Sequence, residues 1–449
     1  LKLADRIYPE ISELTKLVGQ PVFDVSRMTY GQCVEWFLVK NTAGLGQFVP
    51  NKPVGASVSS RLARTYTGAY VHEPVPGLYE NIAVFDFRSL YPSIIVSHNV
   101  CPTTVNCECC PGKDTWFCSK KKGFIPEVLD DLIKRRARVK EILKQTDKKD
   151  IAYSMLSARS YCLKTVANAM YGYLGFARSR WYSLECASAI TSWGRHYIHS
   201  VIESAKNSGF GVVYGDTDSI MVALGTDDVG VSRGFAAKVN EMLPGVMELE
   251  FQGFYPRGIF VSKKSDVEKG AKKKYALVDD KGNIVVRGFE YVRRDWSEIA
   301  RSTQMNVIRA VIVEGSKEKA LELVRDAIKR LKAHEVDFDD VSIYTQLTRR
   351  LESYESIGPH VAAAMKASKR GQRFEPGQMI RYVIARGEGS ISERAYLLEE
   401  VQERGIEYDP EYYTNNQVLP AVEKIFEVLG YKKDELLGKL QTTLAGFFG

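Results

Sequence analysis

The apolar positions of this chain follow two periods, and the switches between them mark its elements. Residues 1 to about 49 repeat at helical spacing, interrupted at Pro21 and strongest over Val34–Val39; Gly44, Gly46, Pro50 and Pro53 then read as a linker. Strand character follows at Tyr66–Val71 and Ile82–Phe87, with a Pro76–Gly77 turn between them. From Ile125 the helical period returns over Pro126–Leu143 and Ile151–Tyr171, joined by the polar stretch Gln145–Asp150. So short a connection predicts an antiparallel αα-hairpin. A further helix over Leu184–Ser204 leads into Gly211–Leu224, where Val212–Val213 and Ile220–Val222 flank a short polar turn, as in a β-hairpin. Strands are expected at Glu248–Phe254 and, around an Asp279–Asn283 turn, at Tyr275–Val278 and Ile284–Arg287. Beyond about Ser297 the pattern is mostly helical, as in Glu318–Lys332, with a strand at Met379–Ala385. The predicted fold class is α+β, with strands clustered around two acidic turns and helices at both flanks.

A length of 449 residues predicts two to four domains, at about 100–200 residues each. The balance of 45% hydrophobic to 26% charged residues is that of an ordinary globular protein. No apolar run is long enough to cross a bilayer and the N-terminus is not signal-like, so a cytoplasmic protein is expected. The chain opens on Leu1 inside an amphipathic pattern, which suggests that it starts within a larger gene product.

The net charge of +7 is unevenly placed. Residues 119–149 hold eleven Lys or Arg against five acids, and Lys263 to Lys274 hold six lysines against Asp266 and Glu268. Such blocks are often only solvated faces, but two of them on either side of a carboxylate turn suit a polyanion. Four of the eight cysteines, Cys107, Cys109, Cys110 and Cys118, crowd into twelve residues. Their C-x-C-C-x7-C spacing differs from the paired knuckles of common zinc sites. A local disulfide from Cys109 or Cys110 to Cys118 is expected, as in intracellular proteins of hyperthermophiles, with free thiols the alternative.

Asp216 and Asp218 sit at the tip of the predicted Gly211–Leu224 hairpin. Asp is common in turns, so the pair alone fits a solvated turn; equally, adjacent like charges favour a hard cation between them. Asp86 ends the apolar run IAVFDF, and on a neighbouring strand it completes a carboxylate cluster able to hold two divalent ions about 3.5–4 Å apart. In the αα-hairpin, Arg136 and Lys140 share one face of the first helix, and Lys164, Asn168 and Tyr171 share one face of the second. Three cations then point to one groove, for which a triphosphate is a natural occupant. Solvated helix faces are the plainer reading for Arg136 and Lys140, and a snorkelling side chain for Lys164.

DFRSLYPSI (86–94), K-x3-N-x2-YG (164–172) and YGDTDS (214–219), in this order, resemble the three signature regions of family B DNA polymerases, in the form seen in archaeal replicative enzymes. The resemblance runs from about Leu14 to the C-terminus, taking in YTGAY (66–70), ELEFQGFY (248–255), KKKYA (272–276), RRDWSE (293–298) and GPHV (358–361). It implies a right-hand architecture: residues 1–49 as the C-terminal fringe of an exonuclease region with a linker, 50–124 and 176–270 as palm, 125–175 as fingers, and 271–449 as thumb. It further implies that Asp86, Asp218 and the Phe87 carbonyl bind two Mg²⁺ ions, with Asp216 beside them. Arg136, Lys140, Lys164 and Asn168 match positions that hold the incoming triphosphate together with Ser89 and Leu90, and Lys164 matches a proton donor to the leaving pyrophosphate. Tyr91 matches the aromatic residue under the sugar, which excludes a 2′-hydroxyl. Tyr66, Lys273 and Tyr275 match residues that handle the DNA.

Two departures stand out. Ala169 replaces a common Ser, and Ser265–Ala271 resembles an inserted lysine-bearing loop. The resemblance implies that the family's N-terminal and 3′–5′ exonuclease domains lie upstream of Leu1, with only their C-terminal fringe retained here, so the proofreading carboxylates are not expected in this chain. The implied activity is DNA-templated addition of deoxynucleotides to a primer end; the rivals are an inactive relative serving as a DNA-binding scaffold and another two-metal nucleotidyl transferase, such as an RNA-templated enzyme. In the tail, Gln441, Leu444, Phe447 and Phe448 fall at i, i+3, i+6 and i+7, so one helical turn gathers Leu444, Phe447 and Phe448 into an apolar plug. The plug either folds back on the thumb or, as its resemblance to clamp-docking peptides implies, binds a sliding clamp.

Overall fold

The computed structural model describes residues 2–263 and 269–437. Gln441, Leu444, Phe447 and Phe448 lie outside the described residues, as do positions 264–268 of the lysine-bearing loop. The chain divides into two compact units, one of residues 1–72, 83–224 and 228–253, the other of residues 73–82, 225–227 and 254–449.

The first unit holds helices α1 (Lys2–Val18), α2 (Val22–Val25), α3 (Tyr30–Thr42), α4 (Gly55–Leu62), α5 (Leu90–Ser97), α6 (Phe124–Gln145), α7 (Ile151–Leu174), α8 (Leu184–Asn207) and α9 (Val229–Asn240). Its strands are β1 (Val71–His72), β2 (Gly77–Phe87), β3 (Gly211–Asp216), β4 (Ser219–Ala223) and β5 (Leu249–Ser262), in the spatial order β1-β3-β4-β2-β5. Only residues 83–87 of β2 and 249–253 of β5 belong to this unit.

Local chemistry explains these boundaries. Thr29 and Gln32 form a reciprocal capping box at the start of α3. The Asp150 side chain accepts from the Ala152 amide to open α7, and the Ser183 side chain accepts from the Cys186 amide to open α8. Residues 146–150 turn the chain from α6 into α7, which pack side by side as the expected hairpin, while α1 and α3 pack on α7. Glu13 of α1, only 5% exposed, accepts from Arg159 of α7 at 2.7 Å and from Lys16 at 2.7 Å. Burial works against the Glu13 charge, but those two cations outweigh it and hold the carboxyl below its ordinary range.

Two expectations need correction here. The strand predicted at Tyr66–Val71 is reduced to Val71–His72. The preceding carbonyls are taken by side chains of α8 instead: Thr191 donates to the Thr67 carbonyl at 2.8 Å, and Arg195 to those of Thr67 and Gly68 at 2.9 and 2.7 Å. Nor is Cys109 or Cys110 joined to Cys118 in the expected disulfide: the eight cysteines are free in this structure.

The second unit pairs β5 with β6 (Gly270–Val278) and β6 with β7 (Ile284–Arg287), both antiparallel, the latter with the predicted turn at 279–283. A separate antiparallel sheet runs β10-β9-β8, from β8 (Ile343–Gln346), β9 (Met379–Ile384) and β10 (Ala395–Leu397). Helices α10 (Glu298–Ile312) and α11 (Lys317–Lys332) bury Val307, Ile308, Val311 and Val324 in one core with Ile259, Val361, Ile425 and Phe426. Part of the second basic block is neutralised within this unit. Lys263 and Lys272 both pair with Glu73, at 2.8 and 3.2 Å, and Lys274 pairs with Glu290 at 2.7 Å.

Candidate active site

The β3–β4 hairpin closes with Asp216 opposite Ser219, so Thr217 and Asp218 form a two-residue turn. Thr217 lies at φ 58°, a conformation costly for a β-branched residue and kept only where the surroundings enforce it. Its amide donates to the Tyr70 carbonyl at 3.0 Å and its hydroxyl to the Asp216 carboxylate at 3.1 Å. Tyr214 donates to the other Asp216 oxygen, also at 3.1 Å. Asp216 is thereby committed to shaping the turn.

On β2, Phe85 and Phe87 are buried, so the intervening Asp86 faces the other side of the sheet. The Phe87 amide donates to the Asp218 carbonyl at 2.8 Å, which brings the end of β2 alongside the hairpin tip. Burial first, then the charges of Asp218 and Glu250, push the Asp86 carboxyl up to about 7, while Lys164 pulls it back. Two acids from distant parts of the sequence thus meet beside one lysine.

The cations converge as expected from their spacing. Arg136 and Lys140 of α6 and Lys164 of α7 line a cleft of about 180 Å³ together with Arg88, Ser89 and Ser93. Asn168, one turn beyond Lys164, is exposed and outside this lining. Arg136 is half-buried and its Nε makes no hydrogen bond. Burial and the Arg88 guanidinium disfavour its charge, and Glu250 partly compensates. An orphaned guanidinium N–H in a cleft with three other cations is suited to an oxyanion ligand.

Ser89 stands at φ 50° where β2 passes into α5, and Leu90 is buried at 3% exposure, so its side chain does not reach the cleft. The Tyr91 ring rests on the Tyr171 ring, with centroids 4.5 Å apart, and Tyr66 shares a 3.0 Å hydroxyl contact with Tyr171. Burial and the nearby Asp218 raise the Tyr91 hydroxyl above its ordinary range. Lys273 and Tyr275 belong to β6 of the second unit, Lys273 at φ 60° and Tyr275 stacked on Phe260 at 5.4 Å.

Arg88 and Glu250 are the members that sequence reasoning missed. Arg88 bonds Glu250 at 3.0 Å and also pairs with Glu248, and its amide donates to the Glu248 carbonyl at 2.8 Å. The signal available was the Glu-Leu-Glu alternation at 248–250, which puts both acids on the face opposite the buried Leu249.

The chain is similar to known proteins. The model of DNA polymerase family B matches residues 25–429. A DNA polymerase of Pyrococcus glycovorans is 43% identical over 446 residues, which are 97% of this chain and 56% of the relative. One of Archaeoglobus fulgidus is 37% identical over 465 residues, 99% of this chain and 57% of its own. Among solved structures, the family B DNA polymerase from the hyperthermophilic archaeon Pyrobaculum calidifontis superposes with a TM-score of 0.72 at 34% identity, over 96% of this chain and 55% of that one. The chain therefore spans about half the length of the curated relatives it matches. With a match that runs through both units and takes in every residue of the carboxylate cleft, the chain belongs to DNA polymerase family B.

Proposed function

We propose that this chain is the polymerase portion of a DNA-templated DNA polymerase, extending a primer 3′ end with deoxynucleoside triphosphates. The observation that carries the reading is the crowding of Asp86 by Asp218 and Glu250 beside Lys164, a charge arrangement that a bound dication relieves. The donors are carboxylates with no thiol or imidazole among them, which suits Mg²⁺. Two such ions, when bound, activate the primer hydroxyl and neutralise the leaving phosphate. Asp86, Asp218 and the Phe87 carbonyl are their ligands in this reading, and Asp216 supports the turn.

Arg136, Lys140, Lys164 and Asn168 receive the triphosphate with the backbone of Ser89 and Leu90, Arg136 as a planar fork and the lysines as point charges. Lys164 also supplies the proton taken by the leaving pyrophosphate. Tyr91 lies beneath the sugar and rejects a 2′-hydroxyl, while Tyr66, Lys273 and Tyr275 contact the primer–template. The right-hand assignment follows: palm from residues 50–124 and 176–270, fingers from 125–175, thumb from 271–449, and an exonuclease fringe in 1–49. The tail residues Gln441, Leu444, Phe447 and Phe448 are read as a sliding-clamp peptide.

Primer extension with and without Mg²⁺, offering deoxy- or ribonucleotides, tests the proposal. Metal-dependent extension that prefers deoxynucleotides supports it. Primer–template binding without extension identifies an inactive scaffold and overturns it.

A further inference from the structure

Between α5 and α6 the chain makes a loop that nucleotide addition leaves unused. Its four cysteines, Cys107, Cys109, Cys110 and Cys118, bring one sulfur each to within 4.8 Å of all the others. The Sγ–Sγ separations are 2.9 Å for Cys107 and Cys110, 3.8 Å for Cys109 and Cys110, 3.5 Å for Cys109 and Cys118, and 3.7 Å for Cys110 and Cys118. A tetrahedral ion holding thiolates at about 2.3 Å sets sulfur–sulfur edges of about 3.8 Å. Three of the four separations lie close to that edge, and Cys107 has to withdraw from Cys110 by about 0.9 Å. The two shortest separations couple Cys107 with Cys110 and Cys109 with Cys118, as two disulfides would, but Cys110 also lies 3.8 and 3.7 Å from Cys109 and Cys118, so the four sulfurs form one cluster rather than two separate couples. An iron–sulfur cubane is a poor fit, because its four cysteines bind four separate irons and stand further apart.

The surroundings are those of a thiolate site. The Ser119 amide donates to Cys110 Sγ at 3.3 Å and the Lys121 amide to Cys118 Sγ at 3.4 Å, which disperses negative charge on sulfur. Lys120 and Lys121 follow Cys118 after Ser119, and four thiolates around a dication leave two negative charges for them to offset, while Lys122 pairs with Asp130 at 2.7 Å. The loop is braced from both sides. The Asn99 side chain donates to the Cys118 and Lys121 carbonyls at 2.6 and 2.7 Å and accepts from the Gly123 amide at 2.7 Å. The Trp116 indole donates to the Cys107 carbonyl at 3.0 Å.

We propose that Cys107, Cys109, Cys110 and Cys118 bind one zinc ion as a closed, structural site. Soft thiolates select zinc over Mg²⁺, so this metal is distinct from any held by the carboxylates. With all four positions filled by protein it has no place for a substrate. Its work is to close the loop that leads into α6, the helix carrying Arg136 and Lys140.

The test uses the full chain, purified under reducing conditions without a metal-chelating tag, with zinc measured by elemental analysis. The expected result is about one zinc per chain, released on titration with a mercurial, and a loss of at least about ten-fold in bound zinc for Cys107→Ser with Cys118→Ser. Because that double variant puts folding at risk, Cys109→Ser, at an exposed position, is measured in parallel and is expected to bind zinc more weakly. Cobalt added to the zinc-stripped chain is expected to give thiolate-to-cobalt absorption. Wild-type protein with no zinc and no such absorption overturns the proposal. So does an intact mass lower by two hydrogens for each disulfide among these cysteines.

Discussion

The Phe87 amide and the Asp218 carbonyl are joined by a 2.8 Å hydrogen bond, and this link holds the end of β2 against the tip of the β3–β4 hairpin. Because Asp86 precedes Phe87, the link fixes the meeting of two acids 132 positions apart as a matter of backbone register rather than side-chain choice. Burial is the larger cause of the raised Asp86 carboxyl, and the repulsion built in by this register adds to it.

Replacing Asp86 separates that cost from its purpose. The raised carboxyl means that the folded chain holds a proton the unfolded chain has released, so metal-free stability falls as pH rises from about 4 to about 7. Asp86→Asn is expected to remove that decline, melting above wild type at alkaline pH in the presence of a chelator. The same variant is expected to lose primer extension by about a thousand-fold or more, the several kcal/mol that a metal ion contributes to phosphoryl transfer. Melting curves across pH with parallel extension assays check both halves. A variant less stable than wild type at high pH would falsify the repulsion argument.

Lys164 touches the problem from the other side. It is exposed on α7, lines the cleft with Arg136 and Lys140, and its charge reaches Asp86. Lys164→Ala is expected to lower the single-turnover rate by about 10²–10³-fold, the effect of removing one donor to charge that develops in the transition state. Primer–template affinity is expected to stay near wild type. A variant weakened only in DNA binding would move Lys164 out of the triphosphate site.

His98 sets an acid limit on the first unit. Its ring stacks on Trp193 with centroids 3.9 Å apart and meets the Tyr197 hydroxyl at 2.6 Å, and burial, then His196, push it down to about 4. The unfolded chain takes up a proton near pH 6.5 that the folded chain refuses, so stability is lost as pH falls from about 6.5 towards about 4. His98→Gln is expected to flatten that limb while lowering the plateau at neutral pH slightly. Thermal melts between these limits check it, and an unchanged acid limb would assign the loss to other groups.

Much of this was legible along the chain where the information is local. The β-branched runs on either side of Asp216 and Asp218, and the helical spacing of Arg136 with Lys140 and of Lys164 with Tyr171, translate directly into strand and helix faces. Arg88 and Glu250 were missed because their meaning depends on β2 lying beside β5: the Glu-Leu-Glu alternation puts two acids on one face but does not say which distant strand that face meets. Residues 66–70 have strand-like composition, yet hydroxyl and guanidinium groups of α8 capture their carbonyls. The cysteines misled for a related reason. Read as a string they suggest one bond, while the loop folds so that Cys110 has three sulfur neighbours.

Tyr91 offers the sharpest separation of binding from selectivity. Its ring is confined between the Tyr171 ring and Gly194, where a Cβ would stand 3.1 Å from Tyr91 Cε1. Tyr171 is steadied in turn by the hydroxyl contact with Tyr66. In the proposed reading, with the sugar lying on this ring, a ring so confined would not swing aside for a 2′-hydroxyl, and rejection would be a steric cost set in part by the neighbours that hold Tyr91. Tyr91→Ala is expected to reduce discrimination against ribonucleotides by about 10–200-fold, the range for one small group in a tight pocket. Deoxynucleotide incorporation should change far less. Tyr66→Phe keeps the ring and removes only the hydroxyl link, so a smaller relaxation in the same direction is expected from it. Gly194→Ala acts in the opposite sense, pressing on Tyr91 and raising KM for deoxynucleotides. Competition between the two sugars at a single template position measures all three. An unchanged ratio in Tyr91→Ala would show that the 2′-hydroxyl is refused elsewhere in the cleft.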